Sequence, residues 1–168
     1  MTLSAVSIQA LRIEAIDKTV DAPGTPMPSD DPGWSLHPHL KKDTIDIGDL
    51  PLCRVLVIKD ANYPWLLLVP RRREVVEIID LDEVGQAQLM TEIARVGRAL
   101  KEITQCDKLN IAALGNVVPQ LHVHVIARRS SDVAWPRPVW GVMPPLAHDA
   151  EEVQNFISAL RRKIWLGS

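Results

Sequence analysis

Residues 120–127, QLHVHVIA, decide how this chain is read. Polar and apolar side chains alternate there with the period of a β-strand, so Gln120, His122 and His124 fall on one face and Leu121, Val123 and Val125 on the other. The apolar set marks the face that packs on a core. Two imidazoles then stand about 7 Å apart on the opposite surface, twice the strand rise of about 3.3 Å per residue. An ordinary solvent face has the same alternation, so the pattern alone leaves two readings open.

Working outward, KLNIAAL at 108–114 is a neighbouring strand, joined to this one by GNVVP. Upstream, CRVLVIK (53–59) and PWLLLVP (64–70) are β-rich runs separated by a short connection, DANY, whose Asp60 and Asn62 favour a tight turn. They are expected to form a hairpin. Between the two pairs, a helix is predicted over about 82–103, with Val84, Ala87, Met90, Ala94, Gly97 and Leu100 on its inner face. Asp80 followed by Glu83 resembles a capping box at its start. After a proline-rich loop at 135–145, a last helix begins near Asp149 and turns Val153, Phe156, Ile157 and Leu160 inward. Strands in adjacent pairs with helices set apart from them predict an α+β fold with an antiparallel sheet.

The 168 residues suit one domain, and 46% hydrophobic with 24% charged residues is the mixture of a chain that packs a core. Nineteen basic against 21 acidic side chains leave no bulk positive field for a nucleic acid or an anionic membrane. The two cysteines, Cys53 and Cys106, match neither a disulfide framework nor a four-ligand zinc pattern and suit a reducing, cytoplasmic setting. The longest apolar run, WLLLV at 65–69, is far short of the roughly 20 residues that a spanning helix needs. Neither does the N-terminus, with Glu14 and Asp17 among its apolar residues, read as a signal peptide. Residues 21–33, DAPGTPMPSDDPG, resist both helix and ladder. The chain is therefore divided into an N-terminal extension and linker, 1–33, and a domain, 34–168. Within the extension, Leu3, Val6, Ala10, Ile13 and Ile16 recur at helical spacing, either as an appendage on the domain or as an arm.

The longer stretch GNVVPQLHVHVIAR, Gly115 to Arg128, resembles the signature of the histidine triad superfamily, in which His-x-His-x-His alternates with apolar residues after a Gly-Gln-(Ser/Thr)-Val-x segment. The resemblance extends to the hairpin ending in LLLVPRRR (66–73), the long helix after it and the strand bearing Asn110. It implies an antiparallel sheet with one long and one C-terminal helix, and a hydrolase or transferase acting on nucleoside phosphate conjugates. His122, the middle position of the motif, would attack the α-phosphorus and form a nucleotidyl-histidine. A neutral imidazole is a usable nucleophile near its pKa of about 6.5, and a covalent intermediate divides one hard step into two. His124 would donate to a phosphoryl oxygen or assist the leaving group. Gly115 and Asn116 would offer a phosphate-binding turn, Asn116 keeping an amide where the family has glutamine. Asn110 and Asp60 match residues near the family's phosphate and ribose. Gln120 stands where the family has its first histidine, and it can hydrogen-bond but cannot exchange a proton at neutral pH. Val117 and Pro119 likewise replace groups that contact phosphate in the family. No cofactor or metal is required by this reading, the partner is a small nucleotide, and C-terminal elements that reach a neighbouring subunit's site favour a homodimer. A nucleotide-binding module with little or no turnover is the alternative.

Several residues carry plainer readings beside these. Asp60 equally caps its turn, Trp65 reads as core packing, and the Arg71 to Arg73 run reads as a solvated edge. His37 and His39 form a second His-x-His that, with His122 and His124, would supply four nitrogens for a metal, although nothing but the count supports it. Trp135 and Trp140, in AWPRPVWG, belong to a rigid aromatic loop that serves as a dimer contact or a lid.

Overall fold

The computed structural model describes residues 31–166. The helical periodicity read between Leu3 and Ile16, and most of the 21–33 segment, lie outside the described residues. Within them, a short helix α1 (Pro38–Asp43) leads into β1 (Thr44–Asp49), followed by β2 (Cys53–Ile58) and β3 (Trp65–Pro70). A single 3-10 turn (Ile78–Asp80) precedes the long helix α2 (Glu83–Thr104), then β4 (Lys108–Ala113), β5 (Val123–Arg128) and α3 (Ala150–Arg161). The five strands form one sheet in the order β1-β2-β3-β5-β4, every neighbouring pair antiparallel. This is the expected α+β architecture, and the expected hairpin is β2–β3. Among the described residues no helix is long and apolar enough to cross a membrane.

The two elements of the 38–49 region, α1 and β1, escape periodicity because they are short and half exposed. Pro38 occupies the first turn of α1, where its missing N–H costs nothing, and His37 caps that helix by accepting from the His39 N–H through Nδ1. β1 is an edge strand that slips register between Asp46 and Gly48. Gly48 sits at φ 140°, and a Cβ there would come within 3.0 Å of the Trp165 ring, so the close packing of Trp165 on this bulge requires glycine.

One face of the sheet carries the main core. Val55, Val57, Leu66, Leu68, Val123 and Val125 meet Leu89, Ile93, Val96 and Leu100 of α2 and Val153, Ile157 and Leu160 of α3. For α3 this is the predicted face, with Phe156 packed at its margin. For α2 the predicted face holds at Gly97 and Leu100, which are buried, and is corrected before them: Val84 and Met90 are 59% and 64% exposed, and Ala87 and Ala94 also face outward. The helix bears two apolar stripes, and the bulkier one wins because it removes more surface from water. The cap is corrected as well. Asp82, not Asp80, receives the Gly85 N–H, while Asp80 accepts from Val76 and Glu77 and closes the preceding 3-10 turn. Glu92 interrupts the buried stripe and explains why the periodicity misled. Its carboxylate accepts from the Leu52 and Cys53 N–H groups at 2.7 and 2.8 Å and from Gln88, fastening α2 to the start of β2. Burial, reinforced by Glu92, pushes the Cys53 thiol up, and both cysteines are buried and unpaired with each other.

The other face holds two smaller clusters. Leu40, Leu56, Leu67, Val69 and Val118 form one, under α1; Tyr63, Trp65, Ile126, Ala134 and Val139 form the other, under the 129–142 loop. His124 projects between them, opposite Leu67 of β3 and Ala112 of β4.

Candidate active site

The strand carrying the histidines is shorter than its alternation suggests. β5 begins at Val123, so Gln120 and His122 lie in the irregular approach to it. The cause is a change of partners: β3 pairs with β5 no further than Leu68 opposite Val123, and the Leu121 N–H turns instead to the Val75 carbonyl, 3.0 Å away. Pro119 has no N–H to extend the ladder. The bend brings the two imidazoles closer than a regular strand would, with ring centroids 5.0 Å apart and edge-on. Neither is on a solvent face: His122 is 8% and His124 7% exposed.

Each ring is held by one nitrogen. His122 Nδ1 lies 2.7 Å from the Gln120 carbonyl oxygen. A carbonyl only accepts, so Nδ1 carries the proton and, in the neutral ring, Nε2 carries the lone pair. His124 Nδ1 lies 2.9 Å from the indole Nε1 of Trp65, which only donates, so here Nδ1 is bare and the proton is on Nε2. The two rings are therefore fixed in opposite tautomers, one offering a nucleophilic nitrogen and the other a hydrogen-bond donor. Burial, with a smaller contribution from neighbouring His122, lowers the pKa of His124 from 6.5 to about 4, which keeps it neutral at physiological pH.

Trp140 completes the surroundings of His124. Its ring centroid is 5.3 Å from His124 and 5.6 Å from Trp65, nearly perpendicular to both. Trp140 thus lies against His124 and Trp65 from the 129–142 loop. The loop is held by Arg128, which is only 1% exposed. Its guanidinium binds both oxygens of Asp132 at 2.8 Å, the Arg137 carbonyl at 3.0 Å and Asn110 Oδ1 at 2.6 Å, and lies against the rings of Tyr63 and Trp135. That bidentate contact holds the Asp132 carboxyl below its usual range. Asn110 thus anchors Arg128.

Gln120 does structural work with its amide. Oε1 accepts from the His37 N–H and Nε2 donates to the Ser35 carbonyl, both at 2.9 Å, so the side chain clips the chain entering α1 to the approach of His122. Its own carbonyl orients His122. Asp60 closes its turn, accepting from the Asn62 backbone and side chain and from Leu146 N–H, and so ties the β2–β3 connection to the segment before α3. Gly115 adopts φ 68°, a left-handed conformation that favours glycine, and Asn116 and Val117 point outward from the loop between β4 and β5.

Other sequence candidates separate from this site. His37 and His39 stack edge-on at 5.2 Å. Among the described residues no three His, Cys, Asp or Glu side chains come together at metal-ligand distances, so the four-histidine arrangement is not assembled. Arg71 is buried against Asp49 and the Leu50 carbonyl, and Arg73 pairs with Asp31. Arg71 departs from the solvated run that the sequence suggested, while Arg73 is exposed as that reading expects. A cavity of about 500 Å³ lies beyond Leu56, lined by Trp34, Arg54, Arg71 and several aspartates. Its arginines are engaged by Asp46 and Asp49. Trp65 was legible as a buried residue, but its polar edge gave no sequence signal, because the bond to His124 runs diagonally between β3 and β5.

The antiparallel sheet thus sets an imidazole with a bare Nε2 beside one with a protonated Nε2, with Trp140 against the second ring. Residues 40–131 match the model of the HIT domain, more than half of the chain, and the chain belongs to that family. It is similar to the crystal structure of a histidine triad protein from Bradyrhizobium japonicum, 85% identical, with a TM-score of 0.79 over 80% of this chain and 100% of that one. A histidine triad protein from Sinorhizobium meliloti 1021 is 42% identical with a TM-score of 0.76, over 78% of this chain and 97% of that one. Among curated proteins, an AP-4-A phosphorylase of Mycobacterium tuberculosis is 30% identical over 107 residues, covering 59% of this chain and 54% of the relative. The chain thus spans about half the length of the curated relatives it matches.

Proposed function

We propose that this protein is a nucleotide hydrolase or transferase that cleaves at the α-phosphate of a nucleoside phosphate conjugate, of the dinucleoside polyphosphate or nucleoside phosphoramidate type, through a nucleotidyl group on His122. The observation that carries the reading is the hydrogen bond from His122 Nδ1 to the Gln120 carbonyl, which aims an unprotonated Nε2 away from the backbone. Attack by that nitrogen places positive charge on the ring, and the carbonyl at Nδ1 stabilises it. His124 Nε2–H donates to a phosphoryl oxygen as negative charge develops. The turn at Gly115 and Asn116 offers backbone N–H groups to the phosphate. The name of the mycobacterial relative points to the same substrate class. No metal or cofactor enters this scheme.

Gln120 supports a second reading, a nucleotide-binding module with little turnover, since its amide is spent on Ser35 and His37 and exchanges no proton. Incubation with diadenosine tetraphosphate and adenosine phosphoramidate, scored for nucleoside monophosphate and for an acid-quenched protein adduct, separates the two. The enzyme reading expects release and adduct in the wild type and neither in His122→Ala. Binding without release selects the module, and release that survives His122→Ala removes His122 as nucleophile.

The protein is further proposed to act as a homodimer in a reducing, cytoplasmic compartment. β4 is an edge strand, Ile111 on it is half exposed, and Val84, Ala87, Met90 and Ala94 leave an apolar stripe on α2. The unpaired buried thiols fit such a compartment.

A further inference from the structure

Adjacent histidines in opposite tautomers have unequal powers. His122 is free to share electrons at Nε2, whereas His124 is held as an acceptor at Nδ1. The Trp65 indole N–H occupies Nδ1 at 2.9 Å, and Trp140 closes the site with its ring edge-on to both His124 and Trp65. A second proton on His124 would set an N–H against the indole N–H inside an aromatic box, with no acceptor to relieve it.

We infer that Trp65 locks His124 as a hydrogen-bond donor that cannot hand on a proton, and that this lock favours substrates whose leaving group departs as a phosphate anion over those whose leaving group is an amine. The inference rests on the nucleotidyl-His122 reading. In the first step the lone pair on His122 Nε2 forms a bond to the α-phosphorus, and the bond from phosphorus to the leaving group breaks, its electron pair going with the leaving group. A phosphate needs no proton to leave, because its second pKa is about 6. An amine must be protonated before the P–N bond breaks, otherwise it departs as an amide anion; the conjugate acid of an alkyl amine such as lysine titrates only near about 10.4. Neutral imidazole gives up its Nε2 proton usefully only when Nδ1 takes one in exchange, and Trp65 holds that position. Gln120, the other group flanking the nucleophile, has no proton to give. In the second step a water oxygen bonds to phosphorus, the P–N bond breaks, its electron pair returns to His122 Nε2, and a water proton passes to solvent. Neither step moves a proton through His124.

Trp65 is therefore a positioning residue that sets leaving-group preference. The test joins a direct view of the tautomer with a substrate ratio. Nitrogen-15 NMR of the full-length protein is expected to show His124 with a bare Nδ1 and a protonated Nε2, and Trp65→Phe, which keeps the ring but loses the donor, is expected to mix the tautomers. In parallel, kcat/KM is measured for diadenosine tetraphosphate and adenosine phosphoramidate. Trp65→Phe is expected to raise the phosphoramidate-to-tetraphosphate ratio on the order of tenfold, a small part of the 10²–10⁴ that general acid catalysis supplies. Trp65→His, able both to give and to take a proton, is expected to move the ratio the same way and serves if the phenylalanine variant folds poorly. A wild-type His124 protonated at Nδ1, or an unchanged ratio in both variants, overturns the inference. Wild-type release from neither substrate overturns the hydrolase reading and with it the leaving-group preference, while the NMR result still decides the lock.

Discussion

Replacing Gln120 with methionine keeps the length and stem of the side chain but removes both polar atoms of its amide. Two hydrogen bonds are lost, one from His37 N–H and one to the Ser35 carbonyl, across more than 80 residues of sequence. At about 1 kcal/mol net for each neutral bond, the clip contributes about 2 kcal/mol, so opening of the segment it holds should rise on the order of 25-fold at 1.4 kcal/mol per tenfold. The effect is local first, because Asp31 remains bound to Arg73 and Leu40 remains in its cluster. Hydrogen exchange read residue by residue is the suitable assay: the His37 amide should lose protection in Gln120→Met, while amides in β3 and β5 change less. Gln120→Glu gives an internal control. One carboxylate oxygen can still accept from His37, but the other faces the Ser35 carbonyl and repels it, so protection should fall there as well. An unchanged His37 amide in both variants would refute the idea that this glutamine is a clip. The same reasoning expects Gln120→His to leave turnover unchanged or slower, since the amide it removes anchors the approach to His122.

Two further predictions test the surroundings of the site. Arg128→Met strands the Asp132 carboxylate, Asn110 and the Arg137 carbonyl; urea unfolding should report a loss of about 3–5 kcal/mol, and near-ultraviolet circular dichroism should show Trp140 released from His124. Because folding lowers the pKa of His124 from 6.5 to about 4, the unfolded chain binds more protons between those values, so stability is full above pH 6.5 and falls as pH drops toward 4. The carboxyls held down by arginines, Asp49 and Asp132, add their loss only at lower pH. His124→Gln should flatten the profile between pH 6.5 and 4; a wild-type profile already flat there would show that His124 is not held neutral.

The sequence by itself determined the sheet's central hairpin, the β4–β5 pair and both long helices, and it singled out the histidine pair as the candidate site. Each follows from local periodicity or from a compact motif: alternating residues must face opposite sides of a strand, and β-rich runs joined by DANY have little choice but to pair. The inner face of α2 was not decided locally, because two apolar stripes compete and a buried Glu92 breaks the bulkier one; only the neighbouring strands determine which stripe is covered. The edge strand β1 and helix α1 are too short to announce themselves. The tertiary structure alone decided the chemistry of the rings. Opposite tautomers at His122 and His124 arise from a backbone bend at Gln120 and from an indole on another strand, 59 residues away in sequence. Hydrogen-bond direction depends on which atoms meet in space, and no periodicity along one strand specifies what the next strand brings to it.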